Sequence, residues 1–390
     1  MKNSVGILCP GVNHRSYHRF YFRHMQIPAI RYSRDTTDFT KTLRARVDAY
    51  FKENNLSRKG DWRLHLKTAA ALGMYFVPWA LITWGLAGQG WMFWVAELVM
   101  GLGLAGIGLN VMHDANHDAY SDKKWVNLWV GRVLDLVGGN AMMWKIQHNV
   151  LHHTFTNVDG LDEDIDMHPI MRFSPLKPRH WWHRFQHIYS WVFYAMMTIF
   201  WMIAKDWMQL RRYHKKDLIK PTGTTVGKLS VEMGITKVAY FTYVLILPML
   251  FSGAQWLQVV AGWCVMQMVA GFLLAVIFQP AHVLEDHDYT PAVKGAKLDV
   301  DPLTHQLRTT SNFGTGSKLL TFLCGGLNHQ IEHHLFPQIS HVHLPSIAPI
   351  VKQTAEEFGI PYRASTTYMQ ALGLHTKMLR ELGRPVRAAA

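Results

Sequence analysis

Five long apolar segments constrain the fold of this chain more than any other feature of its sequence. They cover residues 68–86, 91–112, 188–204, 238–254 and 256–280. A helix needs about 20 apolar residues to cross the hydrocarbon of a bilayer, where every backbone polar group must be satisfied internally. Glu97 is the only charged residue within these segments. The sequence therefore predicts an all-α integral membrane protein.

Composition supports this prediction and excludes several other classes of protein. Charged residues make up 17% of the 390 residues, below the roughly 25% of an average globular chain. The 12% aromatic content is too high for a disordered chain. Three widely spaced cysteines argue against a disulfide scaffold or a cysteine-rich zinc site. The net charge of +13 comes largely from residues between the apolar segments, so we expect membrane lipid and no nucleic acid as partner.

Lysine and arginine positions predict which side of the membrane each connection faces. The linkers 87–90 and 252–255 carry no charge, whereas 172–184 and 205–237 are strongly basic and should face the cytoplasm. Because both flanks of 188–204 are basic, we expect that segment to lie at, or dip into, the cytoplasmic interface. The prediction is four transmembrane helices in two hairpins, with interfacial helices and a cytoplasmic histidine-rich cap.

The two hairpins are expected over 68–112 and 238–280, with both termini inside. The chain then divides into a cytoplasmic N-terminal region (1–67), a membrane domain (68–340) and a cytoplasmic helical tail (341–390). We expect a bacterial inner membrane rather than the endoplasmic reticulum.

The 23 histidines include three clusters and one further candidate at the predicted cytoplasmic ends of apolar segments. Box one is HDANH (113–117), box two is HNVLHH (148–153), box three is HQIEHH (329–334), and the further candidate follows in QPAH (279–282). Residues i and i+4 of a helix share one face, and the next residue is turned by about 100°. Each box can therefore direct its i and i+4 imidazoles at one metal, and the adjacent histidine pair of boxes two and three could serve a second.

The number of imidazoles indicates a pair of metals. The candidate ligands are His113, His117, His148, His152, His153, His282, His329, His333 and His334. One zinc takes only four ligands, whereas imidazole also suits iron, copper and nickel. Supporting groups that would orient the ligands are Asp114, Asn116, Asp118, Asn149, Asn157, Gln330 and Glu332. Seven other histidines are expected to be ordinary surface or core residues: His180, His183, His187, His214, His305, His341 and His343.

The three boxes resemble those of the integral-membrane fatty acid desaturases, over about residues 68–340. HDANH, HNVLHH, HQIEHHLFP (329–337) and QPAH carry the resemblance. The third box is most similar to that of acyl-lipid and front-end desaturases, in which glutamine commonly begins a Q-x-x-H-H motif. Gln330 fills that place, and His329 precedes it.

The resemblance implies an oxygen-dependent desaturase that places a double bond in the acyl chain of a lipid or acyl-CoA. It further implies two non-haem iron ions, O2 as co-substrate, and His113, His117, His148, His152, His153, His282, His333 and His334 as ligands. His329 or Gln330 would be the ninth ligand, and both remain open. No HPGG sequence of a fused cytochrome b5 domain occurs, so a separate ferredoxin or cytochrome b5-type carrier should supply electrons.

Two rival functions are a membrane di-iron hydroxylase, which has similar boxes, and a histidine-rich metal transporter. The HQIEHHLFP sequence favours desaturation, and a transporter should hold its ligands near mid-membrane. Segments 91–112 and 256–280 are candidate walls of an acyl tunnel, although most of their residues should simply pack or face lipid. Glu97 is expected to have a structural role.

An acidic run after box two has two interpretations. It consists of Asp162, Glu163, Asp164 and Asp166. A solvated loop is favoured, and the alternative is that the run shapes the substrate entrance or orients His152 and His153.

Overall fold

The fold is a bundle of long helices capped by shorter ones. The computed structural model describes residues 31–32, 37–293 and 297–385. The helices are α1 (Asp38–Glu53), α2 (Trp62–Thr83), α3 (Gly90–Asn116), α4 (Lys124–Gly131), α5 (Val133–Leu136), α6 (141–155), α7 (Trp181–Lys215), α8 (Val226–Phe251), α9 (Trp256–Ala281), α10 (Pro302–Thr309), α11 (Lys318–Leu323), α12 (Gln330–Leu335), α13 (Leu344–Glu357) and α14 (Tyr368–Gly383). Short 3-10 turns cover Lys220–Thr222 and His341–His343. The predicted helical character is confirmed.

Strands are confined, within the described ranges, to two parallel pairs of two residues each. β1 (Arg31–Tyr32) pairs with β2 (Lys297–Leu298), and β3 (Asn312–Phe313) pairs with β4 (Ala364–Ser365). These pairs fasten distant parts of the chain to one another and form no closed sheet.

Five helices of the described chain are long and apolar enough to cross a membrane, namely α2, α3, α7, α8 and α9. Four of them overlap the apolar segments of the predicted hairpins, although α8 begins at Val226 and not at residue 238. Helix α7 contains the apolar segment 188–204 and meets the same criterion of length and composition. The protein is therefore a helical membrane protein.

Helix α3 lies between α2 and α9 because its glycines allow close approach. A Cβ atom on Gly103 would lie 2.7 Å from the backbone nitrogen of Tyr75 on α2. A Cβ atom on Gly101 would lie 2.8 Å from the carbonyl oxygen of Met266 on α9. Small residues at such contacts are typical of helices packed in membranes. The packing holds α3, whose C-terminal end carries box one, firmly against both neighbours.

Lys237 on α8 fastens three parts of the bundle together. Its ammonium group donates to the carbonyl oxygens of Gly138 and Met202, at 2.8 Å each, and lies 2.9 Å from the Asp206 carboxylate. Lys237 is 5% exposed and Asp206 is fully buried. The sequence analysis counted Lys237 among the cations of the basic connection 205–237, whereas the structure neutralises its charge inside the protein.

The parts of the N-terminal and C-terminal regions that the structure describes meet in one apolar core beside box three. Leu43 of α1, Leu307 of α10, Ile331 of α12 and Ile347 of α13 are all completely buried there. The helix of box three is thereby packed between the two ends of the chain, which keeps water away from one side of its histidines.

Candidate metal centre

Two of the three histidine boxes adjoin or lie in π-helical turns of longer helices. A π-helical turn covers Ile107–Met112 immediately before box one, and another covers Ile146–His152 in box two. Such turns close i→i+5 hydrogen bonds and often occur at functional sites. They bring residue i+5 back over residue i, and Nε2 of His153 lies 3.2 Å from Nε2 of His148. The expected turn of about 100° between His152 and His153 therefore does not carry His153 away from His148.

The imidazoles collect in two adjacent groups. His113, His117, His148 and His333 form the first group, and His152, His282 and His334 form the second. Within each group the candidate ligand atoms lie within 4.8 Å of one another. His153 lies between the groups, with its ring centroid 4.7 Å from that of His333 and 4.2 Å from that of His334. Box two supplies both groups, and so does the His333–His334 pair of box three.

Several ring nitrogens of these buried histidines have no hydrogen-bond partner within the described chain. They are Nε2 of His113, His152, His333 and His334, and Nδ1 of His153. All eight grouped or bridging histidines are at most 9% exposed. A buried polar atom without a partner is costly and needs an explanation. Metal ions bound between the rings would satisfy these nitrogens, so the residues present fit a pair of metals.

Burial also keeps most of these imidazoles neutral, which is the form that binds metal. It lowers the pKa of His148 to about 3. Burial, together with the facing imidazoles, lowers the pKa of His153, His333 and His334 well below the usual value. Burial acts in the same direction on His152, but the charges of Asp162 and Asp164 outweigh it and leave the pKa of His152 raised.

Two residues of the acidic run hydrogen-bond to box two. Asp164 accepts from Nδ1 of His148 at 2.9 Å, and Asp162 accepts from Nδ1 of His152 at 3.0 Å. The favoured interpretation of a solvated loop was wrong for these two residues, because the loop folds back, buries Asp162 and leaves the Asp164 side chain only 9% exposed. The alternative held for His152, but the second oriented imidazole is His148 and not His153. Carboxylates in such positions fix the tautomer, so that Nε2 faces the metal.

Gln330, and not His329, lies at the second group. The Gln330 amide nitrogen is 3.2 Å from Nε2 of His282, and its amide oxygen has no partner among the described residues. His329 belongs to neither group, although it is only 3% exposed.

Comparison with known proteins shows which family this chain is similar to. Residues 89–366 match the family model described as "Fatty acid desaturase". The chain is 34% identical over 346 residues to the sn-1 linoleoyl-lipid 6-desaturase of Arthrospira platensis. The aligned residues make up 88% of this chain and 92% of that relative. The chain belongs to the fatty acid desaturase family. The desaturase is also 34% identical to a protein of the same name from Synechocystis sp., covering 89% and 96% of the two chains. The acyl-lipid (8-3)-desaturase of Physcomitrium patens is 34% identical as well, over 90% of this chain and 72% of that relative.

Asp114 and Asp118 of the desaturase differ in what they contact. The Asp114 carboxylate accepts from the Ser340 hydroxyl at 2.7 Å and lies 3.0 Å from Nδ1 of His341. Its distance to Nδ1 of His113 is 3.8 Å. Asp118 is exposed, because a left-handed turn at φ 57° follows box one and directs this residue to the surface. The expectation that Asp118 orients an imidazole was therefore wrong.

Glu332 anchors box three and has no hydrogen bond to an imidazole in the described chain. Its carboxylate accepts from the Asn312 amide and the Tyr362 hydroxyl, each at 2.8 Å. Its distance to Nδ1 of His329 is 3.7 Å, beyond hydrogen-bond length. Glu332 thus joins α12 to β3 and does not orient a ligand directly, contrary to expectation.

The asparagines of the boxes hold backbone rather than imidazole rings. Asn116 donates to the carbonyl oxygen of Gly131 at 3.2 Å, and Asn149 donates to that of Asn116 at 2.8 Å. Asn157 donates to the carbonyl oxygen of His282 at 3.1 Å. These bonds tie boxes one and two to each other and box two to His282.

Trp144 is a site residue that the sequence analysis missed. Its ring centroid lies 4.4 Å from that of His148, and it meets the edges of His113 and His117 at 5.8 and 5.6 Å. Trp144 precedes His148 by one helical turn, which is the spacing that could have drawn attention to it. None of the seven histidines that were set aside joins either described group.

Proposed function

We propose that this desaturase introduces a double bond at carbon 6 of an acyl chain esterified to a membrane glycerolipid. Two relatives covering about nine tenths of the chain are named sn-1 linoleoyl-lipid 6-desaturase. The Q-x-x-H-H form of box three, begun by Gln330, supports the same subclass. An acyl-CoA substrate is the alternative that the experiment below separates.

Two irons fit the two groups of imidazoles. His113, His117, His148 and His333 would hold one iron, and His152, His282 and His334 the other, with His153 between them and Gln330 as the ninth ligand. The iron pair, when bound, supplies the oxidation of an unactivated methylene with O2 as co-substrate. The two buried groups, with ring nitrogens that lack partners in the described chain, are the observation that carries this proposal.

The protein's own side chains orient the ligands and exclude water. Asp162 and Asp164 hold Nδ1 of His152 and His148, which leaves the opposite ring nitrogens as the atoms that would hold the metals. Trp144 covers one face of His148. Burial by the surrounding helices keeps bulk water from the reacting methylene, which prevents side reactions.

We also propose that the metal centre faces the cytoplasm. Both ends of α7 contact the segment that follows box two, since the Tyr213 hydroxyl donates to Glu163 at 2.7 Å and His183 lies 2.8 Å from the Pro169 carbonyl oxygen. Residues 163 and 169 can be at most about 20 Å apart, which is less than the ~30 Å hydrocarbon thickness. This supports a helix that enters and leaves on one side, with four other helices crossing in two hairpins.

That arrangement supports a membrane domain over 68–340, with cytoplasmic regions 1–67 and 341–390. A bacterial inner membrane would be the location, and a ferredoxin or cytochrome b5-type carrier would supply the electrons.

Product analysis tests the proposed reaction. The chain would be expressed with a ferredoxin in a bacterial host whose lipids contain linoleoyl groups but no 6-unsaturated ones. We expect new 6-unsaturated acyl groups on intact glycerolipids before any appear on CoA, and none with His333→Ala. A hydroxylated acyl product would support the hydroxylase, and absence of any new alkene would contradict the desaturase.

The ninth ligand has its own test. Gln330→Ala should lower the iron content of the purified protein, whereas His329→Ala should leave it unchanged. The reverse result would assign the position to His329.

A further inference from the structure

A positively charged surface lies directly behind the hydrogen bonds that support box two. We name it the basic surface and define it as Arg211, Arg212, Lys215, Lys216 and Lys220, in the last turns of α7 and just after it. Residues 207–231 contain six lysines or arginines and one acidic residue, Asp217. In the described chain, no carboxylate lies within ion-pair distance of Arg211, Lys215 or Lys220. The surface therefore presents strong, largely uncompensated positive charge.

The opposite face of the same helical turns is buried and polar. Gln209 and Tyr213 are almost completely buried there. The Gln209 amide donates to the Tyr213 hydroxyl at 3.1 Å, and that hydroxyl donates to Glu163 at 2.7 Å. Glu163 also accepts from Arg212 of the basic surface at 2.7 Å. A surface cation is thereby connected to the interior in three hydrogen bonds.

The connection continues to a candidate iron ligand. Gln209 donates to the amide oxygen of Gln147, and Gln147 donates to the Asp164 carboxylate. Asp164 in turn accepts from Nδ1 of His148 at 2.9 Å. The described residues thus form one unbroken chain of hydrogen bonds from Arg212 to His148.

We propose that the basic surface is the docking site of an acidic one-electron carrier protein, and that the chain of hydrogen bonds from Arg212 to His148 lies between the docked carrier and the metal centre. The inference rests on the proposed function, because a desaturase needs an external source of electrons. Complementary charge steers association and raises its rate. An anionic lipid surface would also be attracted by these cations, but it gives no reason for a buried polar connection to the metal site.

Charge reversal tests the docking site. The double variant Arg211→Glu/Lys215→Glu changes two cations that have no described partner, and Arg211→Gln/Lys215→Gln does so without adding negative charge at a helix end. Lys52→Glu/Arg380→Glu is the matched control, because both cations are exposed on other helices. Full-length protein in phosphatidylglycerol nanodiscs would be assayed with a reduced plant-type [2Fe–2S] ferredoxin.

We expect KM for ferredoxin to rise about tenfold or more in the charge-reversed protein, and its salt dependence to flatten, with kcat nearly unchanged. The neutral variant should show a smaller rise and the control none. Gln209→Leu, which interrupts the buried connection, should lower kcat with ferredoxin without changing KM.

Other outcomes would overturn the proposal. An unchanged KM in the charge-reversed protein would contradict it, and the same result with less phosphatidylglycerol retained by the detergent-purified protein would assign the surface to lipid. Iron content and reduction by dithionite with methyl viologen should be equal in all these proteins. If the unaltered protein formed no alkene with any donor, the proposed function would fail, whereas activity with an unchanged KM would refute only the docking site.

Discussion

Asp164 offers the sharpest test of how the metal site is held. Replacing Asp164 with Ala removes its hydrogen bonds with His148 and with Gln147. A hydrogen bond to a charged group contributes about 1.5–3 kcal/mol, and the His148 donor would be left buried without a partner. Loss of such a supporting group typically lowers metal affinity about 10–100-fold, which corresponds to about 1.4–2.7 kcal/mol. We therefore expect affinity for ferrous iron to fall about 10–100-fold, and the lost hydrogen bonds to lower the stability of the folded protein as well.

The assay is titration of chelator-stripped protein with ferrous iron against a competing chelator. Asp166→Ala is the matched control, since Asp166 belongs to the same acidic run but forms a partly exposed ion pair with Lys177 at 3.2 Å, and such pairs contribute little. Asp164→Asn keeps the shape of the side chain and should fall between the two. Equal iron affinity in Asp164→Ala and the unaltered protein would refute the reasoning, as would an equal loss in Asp166→Ala.

The remaining predictions concern stability and metal dependence. Lys237→Met leaves Asp206 buried without its cation and should lower the free energy of unfolding by about 3–5 kcal/mol, as measured by denaturant titration in detergent. Adding Asp206→Asn should recover most of this loss. An equal loss in the single and double variants would contradict the buried-pair explanation. Gly103→Ala forces a methyl group against α2 and should lower the free energy of unfolding by about 1–3 kcal/mol. Gly73 has open space around it, so Gly73→Ala should stabilise α2 by about 0.5–1 kcal/mol. A higher melting temperature for Gly103→Ala than for Gly73→Ala would contradict the close packing of α3. Chelator treatment should abolish alkene formation and ferrous iron should restore it, while restoration by zinc would exclude an oxygen-activating iron site.

The membrane helices and the histidine boxes could be predicted because both are local patterns. An apolar segment of about 20 residues favours the lipid bilayer through its own composition, independently of the rest of the chain. The i and i+4 histidines of box one share a face for the same local reason, and the structure brings His113 and His117 into one group. The lysine and arginine pattern, which is again read along the chain, predicted that the boxes share one side of the membrane. The structure brings their histidines together, and the side that they face stays a prediction.

The parts that could not be predicted depend on contacts between distant residues or on departures from α-helical geometry. The π-helical turn of box two brings His153 over His148, and no residue pattern in the sequence predicts such a turn. Asp164 reaches His148 from 16 positions away through a loop that folds back, so its charge alone suggested a solvated surface. Asp118 was predicted to orient an imidazole, but a left-handed turn directs it to the surface. Lys237 was counted with the cytoplasmic cations because nothing local reveals Asp206 beside it.

Metal content measured together with activity tests the central claim most directly. The full-length protein would be purified in mild detergent, and its iron and zinc would be quantified per chain alongside alkene formation. The account predicts two irons per chain in fully active protein, with both lost together on chelation and neither retained after His148→Ala. Full activity at one iron per chain or fewer, or with zinc in place of iron, would contradict it.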